Sequence, residues 1–345
     1  MKPVRIAIFG AGDNTRAKHI PNFKAIEGVS IDGVCNRTRE SSQRVASQFG
    51  IKKTYADFVE LVSDPDIDAV MIGTWPYMHA QVSIAALCSG KHVMCEARMA
   101  ASAAEARAML EAKRKQPKCT AQIVPSPFTL RVDTTVQKMI AAGAIGQVLA
   151  VDLRAAGSFI NREAPLTWRQ NVDYSGVNIM SLGIWYEALM RWVGGATCVS
   201  ARGKVFQKTR KDERGIMTPV RVPEHVDVSA ELACGAQLHM LISSVAGLAG
   251  PTEAFVFGDE GTLRFSDENL FHARKGDKEL KEVAIPAADQ GRWRVEEEFI
   301  NAIRGVEPIT RTTFEDGVKY MAFTEAVARS CQTGERYALP FAFNS

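Results

Sequence analysis

The first third of the chain alternates short apolar strand patterns with helical ones, and that alternation admits few folds. Val4 to Phe9, Ile31 to Cys35, Asp68 to Gly73, His92 to Cys95 and Thr120 to Val124 read as strands. Between them Arg39 to Phe49, Tyr77 to Ser89 and Ala103 to Lys115 read as helices, each long enough for a right-handed crossover between parallel strands. Strands this continuously apolar are buried on both faces, so the expected class is α/β, with a doubly wound parallel sheet covered by helices.

The pattern changes where Pro125-Ser126-Pro127 interrupts it, which predicts a division into residues 1–124 and 125–345. A chain of 345 residues has room for two cores. After a helix over Val132 to Ala142, Gly146 to Ala156 reads as a long strand and Asn178 to Val193 as a helix. Cys198 to Gln207, Val226 to Ala233, Gln237 to Val245, Glu253 to Phe257, Thr262 to Phe265 and Leu270 to Ala273 then follow as strands joined by short turns. The expected second domain is α+β, with an open, largely antiparallel sheet. One face of that sheet packs on helices and the other needs a cover, which a second copy of the chain would supply in a homodimer or homotetramer.

Charge excludes some functions. Forty-two basic residues against 39 acidic ones leave a net charge of +3 without a basic block, so no nucleic-acid partner is expected. No apolar run approaches the ~18 to 20 residues that span a bilayer, and Met1 to Gly10 lacks the regions of a signal peptide. A cytoplasmic protein without a membrane partner is the expectation. The seven cysteines are scattered from Cys35 to Cys331, as reduced thiols are. Cys88, His92 and Cys95 come nearest to a metal cluster, but no fourth ligand stands near them and no metal is expected.

The first strand runs straight into Gly10-Ala11-Gly12-Asp13-Asn14-Thr15 and a helical stretch, the order a dinucleotide-binding Rossmann unit requires. Gly10 permits the sharp turn, Gly12 lets backbone amides approach a pyrophosphate, and the helix start favours negative charge. Thr15 stands where the usual motif has its third glycine. The second strand ends in Cys35-Asn36-Arg37-Thr38. An acid there would bind ribose hydroxyls; Arg37 instead suits a 2′-phosphate, so NADP(H) is expected over NAD(H), with NAD(H) a possible second cofactor.

Several motifs in order carry a resemblance. Gly10-Ala11-Gly12 with His19-Ile20-Pro21, Thr74-Trp75-Pro76-Tyr77-Met78-His79, Gly90-Lys91-His92-Val93-Met94-Cys95-Glu96, Gly143-Ala144-Ile145-Gly146, Trp168-Arg169, Gly258-Asp259-Glu260-Gly261-Thr262 and Ser330-Cys331-Gln332-Thr333-Gly334 resemble the glucose-fructose oxidoreductase, inositol dehydrogenase and MocA proteins. The resemblance implies oxidation of a ring hydroxyl of a sugar, cyclitol or related polyol, or reduction of the ketone. It puts cofactor contacts on Asn14, Thr15, Asn36, Arg37, Thr74, Trp75, His79 and Glu96, beside the loop residues Gly10, Gly12 and Asp13. Trp168 and Arg169 fall where the family places groups near nicotinamide and substrate.

The chain departs from that family at its acid-base positions. The usual Glu-Lys-Pro triplet reads Glu96-Ala97-Arg98, and the positions of two aspartates and a histidine further on read Ser181, Ala188 and Trp185. A methyl, a hydroxyl and an indole cannot exchange protons near neutral pH as the family's groups do. At spacings of three and four, Asn178, Ser181 and Trp185 share one helix face and line one pocket, suited to a flat, less polar ligand. Arg98 is a candidate to anchor a carboxylate or steady an alkoxide; Tyr174 and Tyr186 are candidate proton donors if their pKa values are lowered. Three functions stay open: an NADP(H)-dependent oxidoreductase acting on a carbonyl or alcohol of a small cyclic compound, sugar-like or aromatic, a lyase or isomerase using transient oxidation, and a non-catalytic binder of dinucleotide or metabolite.

Overall fold

The computed structural model describes residues 3–340 and divides into two compact units. One unit comprises the chain up to Pro125 together with Arg294–Val318; the other comprises Ser126–Trp293 and the chain from Lys319.

In the first unit β1 (Val4–Phe9) leads through a π-helical turn, Thr15–His19, into α1 (Ile20–Lys24). There follow β2 (Val29–Cys35), α2 (Arg39–Phe49), β3 (Lys53–Thr54), α3 (Phe58–Ser63), β4 (Ala69–Ile72), α4 (Pro76–Cys88), β5 (His92–Cys95), α5 (Ala103–Lys115) and β6 (Ala121–Ile123). All six strands are parallel, in the order β3-β2-β1-β4-β5-β6. The helices start where their local chemistry predicts. Thr38, Asp57 and Ser102 each accept a backbone N–H of the first turn, and Gly50, at φ +66°, closes α2 in the left-handed region.

The returning segment, Arg294–Val318, completes this unit. Ile123 at the edge strand exchanges backbone hydrogen bonds with Thr312, at 2.9 and 3.3 Å. The neighbouring Gln122 is fully buried and its amide nitrogen donates to Glu298 Oε2 and to the Arg311 carbonyl, at 2.6 and 2.7 Å. The segment therefore covers an edge that would otherwise expose unpaired backbone groups.

In the second unit α6 (Asp133–Ala141), β7 (Val148–Ala156), α7 (Val172–Ser175) and α8 (Leu182–Val193) precede most of the sheet. The remaining strands are β8 (Ala196–Lys204), β9 (Thr209–Lys211), β10 (Met217–Pro219), β11 (His225–Leu232), β12 (Gln237–Ser243), β13 (Glu253–Gly258), β14 (Gly261–Ser266), β15 (Asn269–Arg274), β16 (Lys281–Glu282) and β17 (Tyr337–Ala338). Eight of these and β7 form one nine-stranded sheet, β16-β15-β14-β13-β7-β12-β11-β8-β17, antiparallel except where β7 meets β12; β9 and β10 form a separate hairpin. Along β11 the side chains alternate: Val226, Val228, Ala230 and Leu232 are buried, whereas Asp227, Ser229 and Glu231 face outward.

One expectation is corrected. The helix read from Asn178 begins four residues later, at Leu182. Gly176 (φ +61°, ψ −135°) breaks the preceding turn, the Asn178 amide donates to the Ser175 carbonyl at 2.7 Å, and Met180 adopts φ +43°. This local side-chain bond competes with helical backbone pairing.

The edge cover predicts a measurable cost. Gln122→Leu, which leaves buried acceptors on Glu298 and Arg311 short of a donor, is expected to lower stability by about 1.5–3 kcal/mol in urea denaturation.

Candidate functional site: a dinucleotide cradle in the first unit

Strand order reverses between β1 and β4, and the loops leaving these two strands diverge there. They pack backbone to backbone. Gly10 has φ +87°, and a Cβ on it would stand 2.4 Å from Thr74 Cγ2 and 2.8 Å from Thr74 N. A Cβ on Gly73 would stand 2.1 Å from Thr15 Oγ1 and 2.4 Å from the Gly10 carbonyl. Thr15 thus fits where the usual motif has glycine because Gly73, on the neighbouring loop, gives up the space. Gly12 differs: its nearest neighbour to an added Cβ is the Gly73 carbonyl at 3.7 Å, so its surroundings are open to an approaching group.

The loop is fixed from the β2 side. Gly10 N–H donates to the Cys35 carbonyl at 2.8 Å and Ala11 N–H to Asn36 Oδ1 at 2.7 Å. Asn36 is itself held, its backbone N–H on Ser42 and its side-chain nitrogen on Ser41. Arg37, next along, is exposed. Asp13 is also exposed and pairs with Arg16 at 2.5 Å.

Across the switch point, Trp75 precedes Pro76 at the start of α4, and the Thr74 hydroxyl is buried with no hydrogen-bond partner among the described residues. His79, expected to touch the cofactor, is wholly buried. Its Nδ1 lies 2.8 Å from the Arg98 carbonyl and its Nε2 2.9 Å from the Thr74 carbonyl, so the ring sits between two loops from beneath, and in its neutral form donates to one of them. Burial lowers its pKa, against the pull of the two carbonyls. Arg98 is likewise buried, at 3% exposure, which does not suit the substrate anchor expected of it; the Ala97–Arg98 peptide is cis.

Beyond β5 stands Glu96. Its Oε1 accepts from the Asn14 amide and lies 3.0 Å from His19 Nε2, while its Oε2 accepts from Ala97 N–H at 3.1 Å. Burial would raise the Glu96 pKa, but His19 and Asn14 outweigh it and the carboxyl is held below its usual range. The other ring nitrogen of His19 lies 2.5 Å from Glu296 Oε1.

The second unit distributes its candidates unevenly. Trp168 and Arg169 share one turn of 3-10 helix, with the guanidinium 4.4 Å over the indole; Trp168 is half-buried and Arg169 exposed. Tyr174 and Ser181 are half-buried, the latter immediately before α8. Asn178 is buried on its own turn and Trp185 is a core residue, stacked on Phe128 at 4.4 Å and tilted towards Phe265 at 6.3 Å, so Asn178, Ser181 and Trp185 do not share one helix face. Tyr186 is buried too. Its ring stacks on Phe323 at 3.6 Å, its oxygen accepts Ala196 N–H at 2.7 Å, and burial pushes its pKa up to about 12, opposite to the direction a proton donor at neutral pH needs.

Sequence reasoning missed Gly73 and the His19–Glu296 contact. Gly73 ended a strand that was read correctly, and His19 stood in a motif without being given a task. Among the described residues no group of three or more His, Cys, Asp or Glu side chains is placed to hold a metal ion, and no helix is long and apolar enough to cross a membrane.

An approachable glycine turn, an orphan hydroxyl opposite it and a fixed carboxylate, all beyond the carboxyl ends of parallel strands, fit a dinucleotide and define a nucleotide-binding unit of the Rossmann class. Family models agree: residues 4–123 match the oxidoreductase family with an NAD-binding Rossmann fold, and residues 134–264 match the GFO/IDH/MocA C-terminal domain. The chain belongs to the glucose-fructose oxidoreductase, inositol dehydrogenase and MocA family of oxidoreductases. It is 25% identical to an uncharacterised oxidoreductase, ORF334, of Rhizobium meliloti, over 97% of this chain and 98% of that one. It is 23% identical to the mouse trans-1,2-dihydrobenzene-1,2-diol dehydrogenase, over 66% of this chain and 70% of that one. Levoglucosan dehydrogenase, solved with NADH and levoglucosan, has the same fold, with a TM-score of 0.84 at 22% identity over 99% of this chain and all of that one.

The two glycines on facing loops should separate in experiment. Gly73→Ala is expected to cost about 1–3 kcal/mol of stability through overpacking. Gly12→Ala should leave stability within roughly 0.5 kcal/mol while weakening dinucleotide binding, as read by thermal denaturation and nicotinamide fluorescence.

Proposed function

We propose that the protein is an NADP(H)-dependent oxidoreductase that interconverts a hydroxyl and a carbonyl on a small ring-shaped compound. The observation that carries this reading is the approachable turn at Gly12 beside the end of β2, where Cys35 is followed by Asn36, an exposed Arg37 and Thr38 rather than by an acidic residue. The turn from Gly10 to Thr15 would hold the pyrophosphate, Arg37 a 2′-phosphate, and Thr74, Trp75 and Glu96 the nicotinamide half. When bound, the cofactor supplies the hydride acceptor or donor.

The chain's own residues orient and exclude. With alanine at position 97 and neither Ser181 nor Trp185 able to exchange protons, the half-buried Tyr174 is the proton donor we assign. Much of the rate would rest on alignment of the two carbons, which needs no acid. Trp168 gives a flat surface for a ring and Arg169, stacked on it, a positive edge for a polar or carboxylate substituent. The relatives' names, levoglucosan and dihydrobenzenediol, point to cyclic polyols and diols, and the loss of charged groups favours the less polar of these.

The outward sheet face of the second unit, where Phe255 and the exposed Phe257 stack at 5.4 Å, is the surface we assign to pairing of two or four copies. Sedimentation should find a dimer or tetramer, and Phe257→Asp should shift it towards monomer.

Titration with NADPH and NADH, followed by nicotinamide fluorescence, tests the cofactor assignment. NADPH should bind more tightly, and Arg37→Asp should reverse the order, with NADPH affinity falling on the order of 10- to 100-fold for loss of a charge-assisted contact. An unchanged ratio overturns the role of Arg37, and binding of neither overturns the reading.

A further inference from the structure

His19 is wholly buried in the first unit, on the π-helical turn, and both of its ring nitrogens face carboxylate oxygens: Nδ1 at 2.5 Å from Glu296 and Nε2 at 3.0 Å from Glu96. A neutral imidazole has one N–H, so one of those carboxylates would meet a lone pair. Only the imidazolium satisfies both. Burial alone would lower the His19 pKa, yet the two carboxylates override it and raise it to about 9. The second oxygen of Glu296 accepts from the Asn22 amide at 3.2 Å, so Glu296 is held in turn. His79 adds a weaker charge effect on Glu96; Asn14 and Asn22 add none.

The consequence falls on Glu96. It follows β5, in the half of the sheet beyond the switch point, where a dinucleotide places its second mononucleotide. Its Oε1 is engaged by Asn14 and His19, whereas Oε2 has one backbone donor and a lone pair to spare for a ribose hydroxyl or carboxamide N–H.

We propose that His19 is a positioning residue: as an imidazolium clamped between Glu96 and Glu296 it fixes the Glu96 carboxylate for the nicotinamide half of the cofactor, so that binding weakens when His19 loses its proton. This inference rests on the dinucleotide reading above. The sign follows from the direction of the shift. Below pH about 9 His19 is protonated and the clamp intact; above it one hydrogen bond becomes a repulsion and Glu96 is released.

The experiment is a titration of NADPH and NADH binding from pH 6 to 10 with the wild-type protein, Glu296→Gln and His19→Gln, with circular dichroism to verify folding. Wild-type affinity should hold to about pH 8 and fall through about pH 9. In Glu296→Gln, nearly the same shape but one carboxylate fewer, the fall should move down by about 1 pH unit or more. His19→Gln should bind about 10-fold more weakly without an inflection, the scale of one charged hydrogen bond. Wild-type binding without an inflection, or an inflection that Glu296→Gln leaves in place, overturns this inference alone, and should His19→Gln not fold, those two proteins still decide it. Failure of the wild type to bind either dinucleotide at any pH overturns the functional reading and this one with it.

Discussion

Two backbone turns pressed together where the strand order of the parallel sheet reverses are the constraint on which the first unit depends. Neither Gly10 nor Gly73 has room for a methyl, and Thr15 fills the remaining space between them. Because the loops cannot separate or slide, the groups they carry are fixed relative to one another: the open backbone at Gly12, the Thr74 hydroxyl, and the Ala11 amide already committed to Asn36. The buried His79 packs between the carbonyls of Thr74 and Arg98, filling the space between this loop and the one after β5. The cradle is thus shaped before any ligand arrives, which reduces the ordering cost of binding.

In the second unit several side chains of α8 serve as scaffold. Trp185 belongs to an aromatic stack with Phe128, and Tyr186 packs on Phe323 while serving the backbone of Ala196. Glu187 accepts from Ser126 N–H and pairs with Arg191, which also reaches Asp133; Asp133 in turn accepts from the Trp192 indole. A helix tied down at so many points is held rigidly in place. Trp168, Arg169, Tyr174 and Ser181 remain at least partly accessible.

The doubly wound sheet was readable because its signals are local. Arg39–Phe49 and Ala103–Lys115 match the structure residue for residue, since Thr38 and Ser102 cap them with their own side chains. The largely antiparallel second sheet was readable too, from alternation and turns. Local competition hid the true start of α8, where Asn178 bonds its own turn, and a π-helical turn has no periodicity signal of the kind that marks an α-helix. In the candidate site, Gly10 and Gly12 could be found from spacing. His19 and Glu296 could not, because they are 277 positions apart and nothing in the intervening pattern brings them together.

That separation bears on biosynthesis. The first unit is not a contiguous stretch of chain: its edge strand is covered, and its buried histidine paired, by a segment that begins at Arg294. A ribosome making this protein releases all six parallel strands long before the segment that finishes their sheet. Until then a sheet edge and a buried polar pair lack their partners, which is the exposure that chaperones recognise. Completion of the nucleotide-binding unit therefore waits for the segment that runs to Val318, and a gene fragment ending near Pro125 would encode an unfinished domain.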